Sequence, residues 1–256
     1  MENIKRTLSF TRRAIDDYKM IKKGDRVAVG VSGGKDSLTL LCALAELRRF
    51  YPEPFELCAI TIDMGFEGGD FSAISALCES LDVPYHIVPT QIGKIIFDIR
   101  KEPNPCSLCA KMRRGALHSA AVELGCNSVA LGHHFDDVVE TFMLNLFFEG
   151  RIGCFQPVTY LSRRNINLIR PLIYMPEKDI RYFTSKANLP IIPSPCPANG
   201  NTEREEMKKL LASLERKNRG LRYRIFGAIQ RGEVDGFREF GRMEGMKAYT
   251  EESDAE

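Results

Sequence analysis

Apolar positions at Ile4, Leu8, Ile15 and Tyr18 fall on one helical stripe and predict an amphipathic N-terminal helix. Arg26-Val27-Ala28-Val29-Gly30-Val31 follows as a short β-branched run, which predicts a buried strand. The same alternation of pattern continues down the chain. Helices are predicted over 35–50, 70–81, 108–124 and 136–148, and strands over 57–63, 84–88, 128–131 and 166–169. Pro176 suits the first turn of a further helix running to about Asn188. After Pro193 the pattern changes to a Pro/Asn/Gly loop, a charged helix and a tail interrupted by glycines.

Strands alternating with helices imply an α/β fold, a parallel sheet with helices on both faces, followed by a small C-terminal helical appendage. The expected division is an N-terminal helix over 1–24, a main domain over 25–192 and an appendage over 193–256. Ligands of such sheets collect at the C-terminal ends of the strands. Three of the motifs described next occupy those positions.

Composition narrows the class only slightly. Of 256 residues, 44% are hydrophobic and 27% charged, which is ordinary for one core-forming domain with a small addition. No run of apolar residues is long enough for a membrane helix, and the N-terminus lacks a secretory pattern, so a cytoplasmic protein is expected. The net charge of +2 conceals two basic ends. Residues 1–26 carry eight Lys/Arg against four acids, and residues 204–224 eight against three. Such ends are compatible with a polyanionic partner, although most basic helices are simply solvated. Of the eight cysteines, Cys42, Cys58, Cys78 and Cys126 lie among aliphatic neighbours and read as buried thiols. Cys106, Cys109 and Cys196 lie beside prolines in polar surroundings and are candidates for metal binding or catalysis.

Between the first strand and its helix stands Ser32-Gly33-Gly34-Lys35-Asp36-Ser37. A turn of small residues there exposes backbone N–H groups at the positive end of a helix dipole, which is a phosphate-binding arrangement. Gly33 and Gly34 admit the anion, Ser32 and Ser37 supply hydroxyls, and Lys35 adds a point charge. The Walker A pattern fails, because Val29 and Asp36 stand where it needs glycine and Ser/Thr. A loop of this composition resembles the PP-loop of ATP pyrophosphatases, which cleave ATP between the α and β phosphates and adenylate a substrate oxygen. That class places its adenosine near the end of the second strand, here Ile62-Asp63.

Gly132-His133-His134-Phe135-Asp136-Asp137 closes another strand and opens a helix. Paired aspartates there can cap the helix, or, beside a triphosphate, bind magnesium through hard oxygens. Pro105-Cys106-Ser107-Leu108-Cys109 puts two thiols at a helix start with Lys111, Arg113 and Arg114 close behind, an environment that favours the thiolate. With Cys196 as a third thiol, the set suits an iron–sulfur cluster with one open iron, or zinc completed by histidine.

Five motifs in order, GVSGGKDS (30–37), PCSLCAKMRRGAL (105–117), LGHHFDD (131–137), LIRPLIYMPEKDI (168–180) and LPIIPSPCP (189–197), are similar to those of the TtcA-type tRNA 2-thiocytidine synthetases. These belong to the TtcA/TtuA tRNA-thiolation group, and the resemblance spans roughly residues 3–230. It implies a PP-loop fold, a 4Fe–4S cluster on Cys106, Cys109 and Cys196, and ATP on Ser32, Gly33, Gly34, Lys35, Asp36, Ser37, Asp63, Gly132 and His133. It also implies Mg2+ on Asp136 and Asp137, with Lys35, Asp137 and Arg113 as catalytic residues and tRNA as substrate. The chemistry implied is adenylation of the C2 oxygen of a pyrimidine, with cytidine expected, followed by replacement with sulfur from sulfide or a desulfurase. The amphipathic first helix would suit a homodimer contact. Two departures bear on the target: Cys196 leads into Pro197-Ala198-Asn199-Gly200 rather than the family's usual Cys-Gly-Ser-Gln-Pro, and the second strand ends Ile62-Asp63-Met64-Gly65-Phe66 with a short link to the next helix. The zinc-binding cysteine pairs of the thiouridine branch are absent, which argues against that branch. The rival readings are a lysidine synthetase-like tRNA ligase, a persulfide-based tRNA thiolase and a nonenzymatic iron–sulfur or nucleotide sensor that binds RNA.

Overall fold

The structure, a computed structural model, describes residues 4–66, 69–100, 105–193 and 203–240. The elements run α1 (Ile4–Tyr18), β1 (Arg26–Gly30), α2 (Lys35–Leu47), β2 (Glu56–Asp63), α3 (Ser72–Ser80) and β3 (Tyr85–Pro89). A helical turn, α4 (Ile92–Lys94), continues into a π-helical turn over Ile95–Ile99. Then come α5 (Pro105–Glu123), β4 (Ser128–Ala130), α6 (Phe135–Phe148), β5 (Val158–Leu161), β6 (Ile166–Ile169), α7 (Glu177–Lys186), α8 (Glu203–Lys217) and α9 (Leu221–Arg231). The described chain divides into two compact units, residues 1–134 with 158–199 and residues 135–157 with 200–256.

The first unit carries a six-stranded sheet in the order β3-β2-β1-β4-β6-β5. All neighbours are parallel except β5, which runs antiparallel to β6 along the edge. The expected parallel α/β sheet is therefore present, with an added edge strand. Ala28, Cys58, Ile60 and Val129 meet Leu117, Ala120 and Ala121 of α5 in one continuous core. Val27 and Val29, which alternate to the other face of β1, are also fully buried. Nearly every side chain of α2 is buried, because the helix packs on the sheet and is itself overlaid by α1 and α7. The buried positions of α1 are Ile4, Thr7, Thr11, Ala14 and Ile15, so the predicted stripe is buried at Ile4 and Ile15 and only half-buried at Leu8 and Tyr18. Tyr174 pins the same helix by donating its hydroxyl to Asp17 at 2.9 Å. As expected, Cys42, Cys58, Cys78 and Cys126 are buried thiols. Burial pushes the Cys42 thiol up to about 12, with the neighbouring Cys78 adding to the shift.

In the second unit α6, α8 and α9 pack on one another. Its core is aromatic: Phe135 lies 4.8 Å from the Tyr223 ring and 4.9 Å from Phe226, which meets Phe237 edge-on at 5.8 Å. The segment after α6 is tied down by Asn145, whose side chain donates to the Gly153 carbonyl at 2.8 Å. Among the described residues, no helix is long and apolar enough to cross a membrane.

Candidate active site

β1 ends at Gly30, and the chain then turns sharply into α2. Gly33 makes the turn at φ +80°, a left-handed conformation that glycine adopts without strain. Gly34 precedes the helix in an extended conformation. The two serines brace the loop internally: Ser37 Oγ donates to the Gly34 carbonyl at 2.9 Å and accepts from Ser32 N at 3.2 Å. The far side of the turn is held by Ile192, whose N–H donates to the Gly33 carbonyl at 3.0 Å.

The β4 end closes on the same turn. A Cβ added at Gly132 would lie 3.0 Å from the Asp36 carbonyl carbon and 3.1 Å from Ser37 N, so glycine lets the two segments meet without strain. Buried His134 sets its Nε2 3.6 Å from Asp36 Oδ1. Lys35 sets its Nζ 3.0 Å from Asp36 Oδ2 and 3.2 Å from Glu177 Oε1. Burial alone would lower the Lys35 ammonium, but Asp36 and Glu177 outweigh it and hold the group above its ordinary value. Ser32, Gly33, Gly34, Lys35, Asp36, Ser37 and Gly132 thus come together as one loop. His133 lies beside them in sequence and is half-buried.

Asp63 sits at the end of β2, also on the C-terminal edge. Its carboxylate accepts from Gly65 N at 2.9 Å, and its carbonyl accepts from Thr90, so the residue shapes a turn there. α5 begins at Pro105, three residues earlier than the periodicity predicts, which puts Cys106 and Cys109 in its first turn. Spaced by three, they lie on one helical face, Cys106 exposed and Cys109 partly so. Arg113, one turn further along, is exposed. A crossover helix between parallel strands starts at the C-terminal edge of the sheet, so topology brings the thiols to the edge that carries the loop. Cys196 lies outside the described residues. Among those described, no three His, Cys, Asp or Glu side chains converge as a metal site.

In the second unit, Asp136 and Asp137 open α6 and are held by arginines. Arg222 Nη1 lies 2.9 Å from Asp136 and 3.5 Å from Glu140, and Arg204 Nη1 lies 3.4 Å from Asp137. Glu140 is raised above its ordinary value by burial and by Asp137, with the arginines opposing. Sequence reading singled out neither Glu177 nor this arginine pair. For Glu177 a signal existed, an acid following Pro176 at a helix start with Arg181 four residues on. For Arg222 and Arg204 there was none, since they looked like members of a solvated basic run.

A phosphate loop of this form at the C-terminal edge of a parallel sheet defines a PP-loop domain, and the sequence matches that domain family over residues 6–212. More narrowly, the chain belongs to the tRNA-cytidine(32) 2-sulfurtransferase family. It is 41% identical to the tRNA-cytidine(32) 2-sulfurtransferase of Pelobacter propionicus over 220 residues, covering 85% of this chain and 82% of that one. It is 42% identical to that of Citrifermentans bemidjiense over 210 residues, covering 80% and 82%. Among solved structures it is similar to the U34-tRNA thiolase NcsA from Methanococcus maripaludis with its 4Fe–4S cluster. That match has a TM-score of 0.74 and 29% identity, and covers 89% of this chain and 78% of that one.

Proposed function

We propose that the protein is an ATP-dependent tRNA sulfurtransferase that replaces the C2 oxygen of cytidine with sulfur. The observation that carries this reading is the phosphate loop and the Cys106/Cys109 pair in one compact unit, both on elements that start at the C-terminal edge of the sheet. The C2 oxygen is a poor leaving group and needs activation. It attacks the α phosphorus of ATP, pyrophosphate leaves, and the base is left carrying AMP through that oxygen. Sulfide then adds to C2 and AMP departs with the oxygen, so no oxidant or reductant is consumed.

The chain's own groups fit these steps. Backbone N–H groups at Gly33 and Gly34 and the ammonium of Lys35 bind the β and γ phosphates and take up the charge that develops on pyrophosphate. Asp63 and Gly132 border the nucleotide, and Arg113 lies one helical turn beyond the thiols. Mg2+ takes one or two carboxylates with phosphate oxygens and water, and Asp136 and Asp137 are hard donors side by side, Asp137 the more exposed at 21% against 14%. Cys106 and Cys109 offer the soft, accessible thiolates that an iron–sulfur cluster takes, with Cys196 as the third. Such a cluster, held by three cysteines, supplies an iron with an open position for sulfide. Exposed Lys209, Arg216, Lys217, Arg219 and Arg224 on α8 and around α9 suit the tRNA phosphates. Action on tRNA fits a cytoplasmic protein whose cysteines stay reduced.

The test is anaerobic purification, a visible spectrum with iron and sulfide content, and nucleoside analysis of tRNA incubated with ATP and sulfide. A brown protein that forms 2-thiocytidine, and loses both colour and product as Cys109→Ser, is the expected result. A colourless zinc protein would remove the cluster, activity surviving in Cys109→Ser would favour a cysteine-independent ligase, and a coloured protein forming no thionucleoside would remove the substrate.

A further inference from the structure

We infer that Glu177 is a positioning residue for nucleotide binding, holding the Lys35 ammonium at the phosphate loop. The inference rests on ATP binding at Ser32–Ser37, not on the identity of the base.

Glu177 opens α7 directly after Pro176, at the end of a buried run, Leu172-Ile173-Tyr174-Met175. α7 is anchored by Ile180 and Phe183, both buried, so the start of the helix has little freedom. The Glu177 side chain is only 11% exposed, an unusual place for a carboxylate without partners. Its Oε1 meets Lys35 Nζ at 3.2 Å and Arg181 Nη2 at 2.8 Å. A glutamate that served only the helix would not need this burial. The dipole and the pairing with Arg181 one turn on are both satisfied on an exposed face. Reaching inward to a lysine on a different helix is the part those roles leave unexplained.

The consequence lies in donor geometry. An ammonium has three N–H donors. Asp36 at 3.0 Å and Glu177 at 3.2 Å engage two of them from different helices, which fixes the head group of a four-carbon side chain otherwise free to rotate. One donor is left for a phosphate oxygen. Arg181, 62% exposed, balances the second carboxylate, so the four groups carry no net charge. Lys35 is thereby set before the nucleotide arrives, and its ordering is not charged against binding.

The experiment is calorimetric titration of Mg–ATP into the full-length protein and its Glu177→Ala and Glu177→Gln variants, each also made with Lys35→Met. Glu177→Ala should weaken ATP binding about tenfold, the scale of one charge-assisted hydrogen bond. Glu177→Gln, which keeps the shape and an accepting oxygen, should lose less, about threefold. With Lys35→Met the Glu177 substitutions should cause no further loss, because their effect runs through the lysine. Binding unchanged or tightened by Glu177→Ala would overturn the inference, since the carboxylate would then merely compete with phosphate. Equal losses with and without Lys35 would also overturn it, as the mark of a general structural role. If the unsubstituted protein bound no Mg–ATP, the reading of the loop itself would fail, whereas ATP binding without thiolation of tRNA would leave Glu177 testable.

Discussion

Replacing Gly132 by alanine adds one methyl group against the backbone of the phosphate loop. The new Cβ would stand 3.0 Å from the Asp36 carbonyl carbon and 3.1 Å from both its oxygen and Ser37 N. These are main-chain atoms in the first turn of α2, a helix buried almost throughout, so no flexible side chain can move aside. Overpacking of this kind costs about 1–3 kcal/mol. At roughly 2–4 °C per kcal/mol for a chain of this size, a 2 kcal/mol loss lowers Tm by roughly 4–8 °C. The strain also displaces the start of α2, the proposed phosphate-binding turn, which should weaken Mg–ATP binding. Thermal melts and Mg–ATP titration should therefore both register the change. Gly115→Ala is the control: Gly115 lies within α5, its added Cβ meets nothing within 4 Å, and helix propensity predicts a gain of about 0.5–1 kcal/mol. If Gly132→Ala melted and bound ATP like the parent, the tight approach of the β4 end to the loop would be refuted.

Three further substitutions probe buried ionisable groups. His118 is buried in α5 and lowered from the ordinary histidine value of about 6.5, first by burial and then by Arg164 and Arg114. The fold therefore prefers it neutral, and the stability it contributes is full above about 6.5 and lost as pH falls below that value. His118→Leu should flatten the fall in Tm between about pH 7 and pH 5, and an unchanged slope would count against the assignment. Arg222→Met leaves Asp136 and Glu140 without their 2.9 and 3.5 Å partner and should cost about 3 kcal/mol in chemical denaturation. Adding Glu140→Leu should recover part of that loss, because the buried carboxylate is then gone.

The sheet was legible because its central strands are short β-branched runs between punctuating turns. Gly33 was legible for a related reason: its φ of +80° favours glycine, so composition and conformation coincide. The edge strand β5 went unpredicted. Its Val158-Thr159-Tyr160-Leu161 is half-exposed on both faces and shows no alternation, and only pairing with β6 defines it. α9 was read as a glycine-broken tail, yet Gly220 starts the helix at φ +77° and Gly227 is absorbed within it. Tertiary packing of Phe226 and Ile229 outweighs that glycine's poor helix propensity. Among site residues, the loop and the thiols on α5 carried their chemistry in local spacing. Glu177 and Arg222 did not, because each works through a partner more than 80 residues away in sequence.

One hydrogen bond of the loop has a use as a gauge. The Ile192 amide is bound to the Gly33 carbonyl, so it can exchange its proton with solvent only when the turn around Gly33 opens. Its exchange rate therefore reports the breathing of the phosphate loop. Ile192 also precedes Cys196 by only four positions in sequence. Slower exchange on adding ATP would show that the nucleotide steadies this turn, with no turnover required.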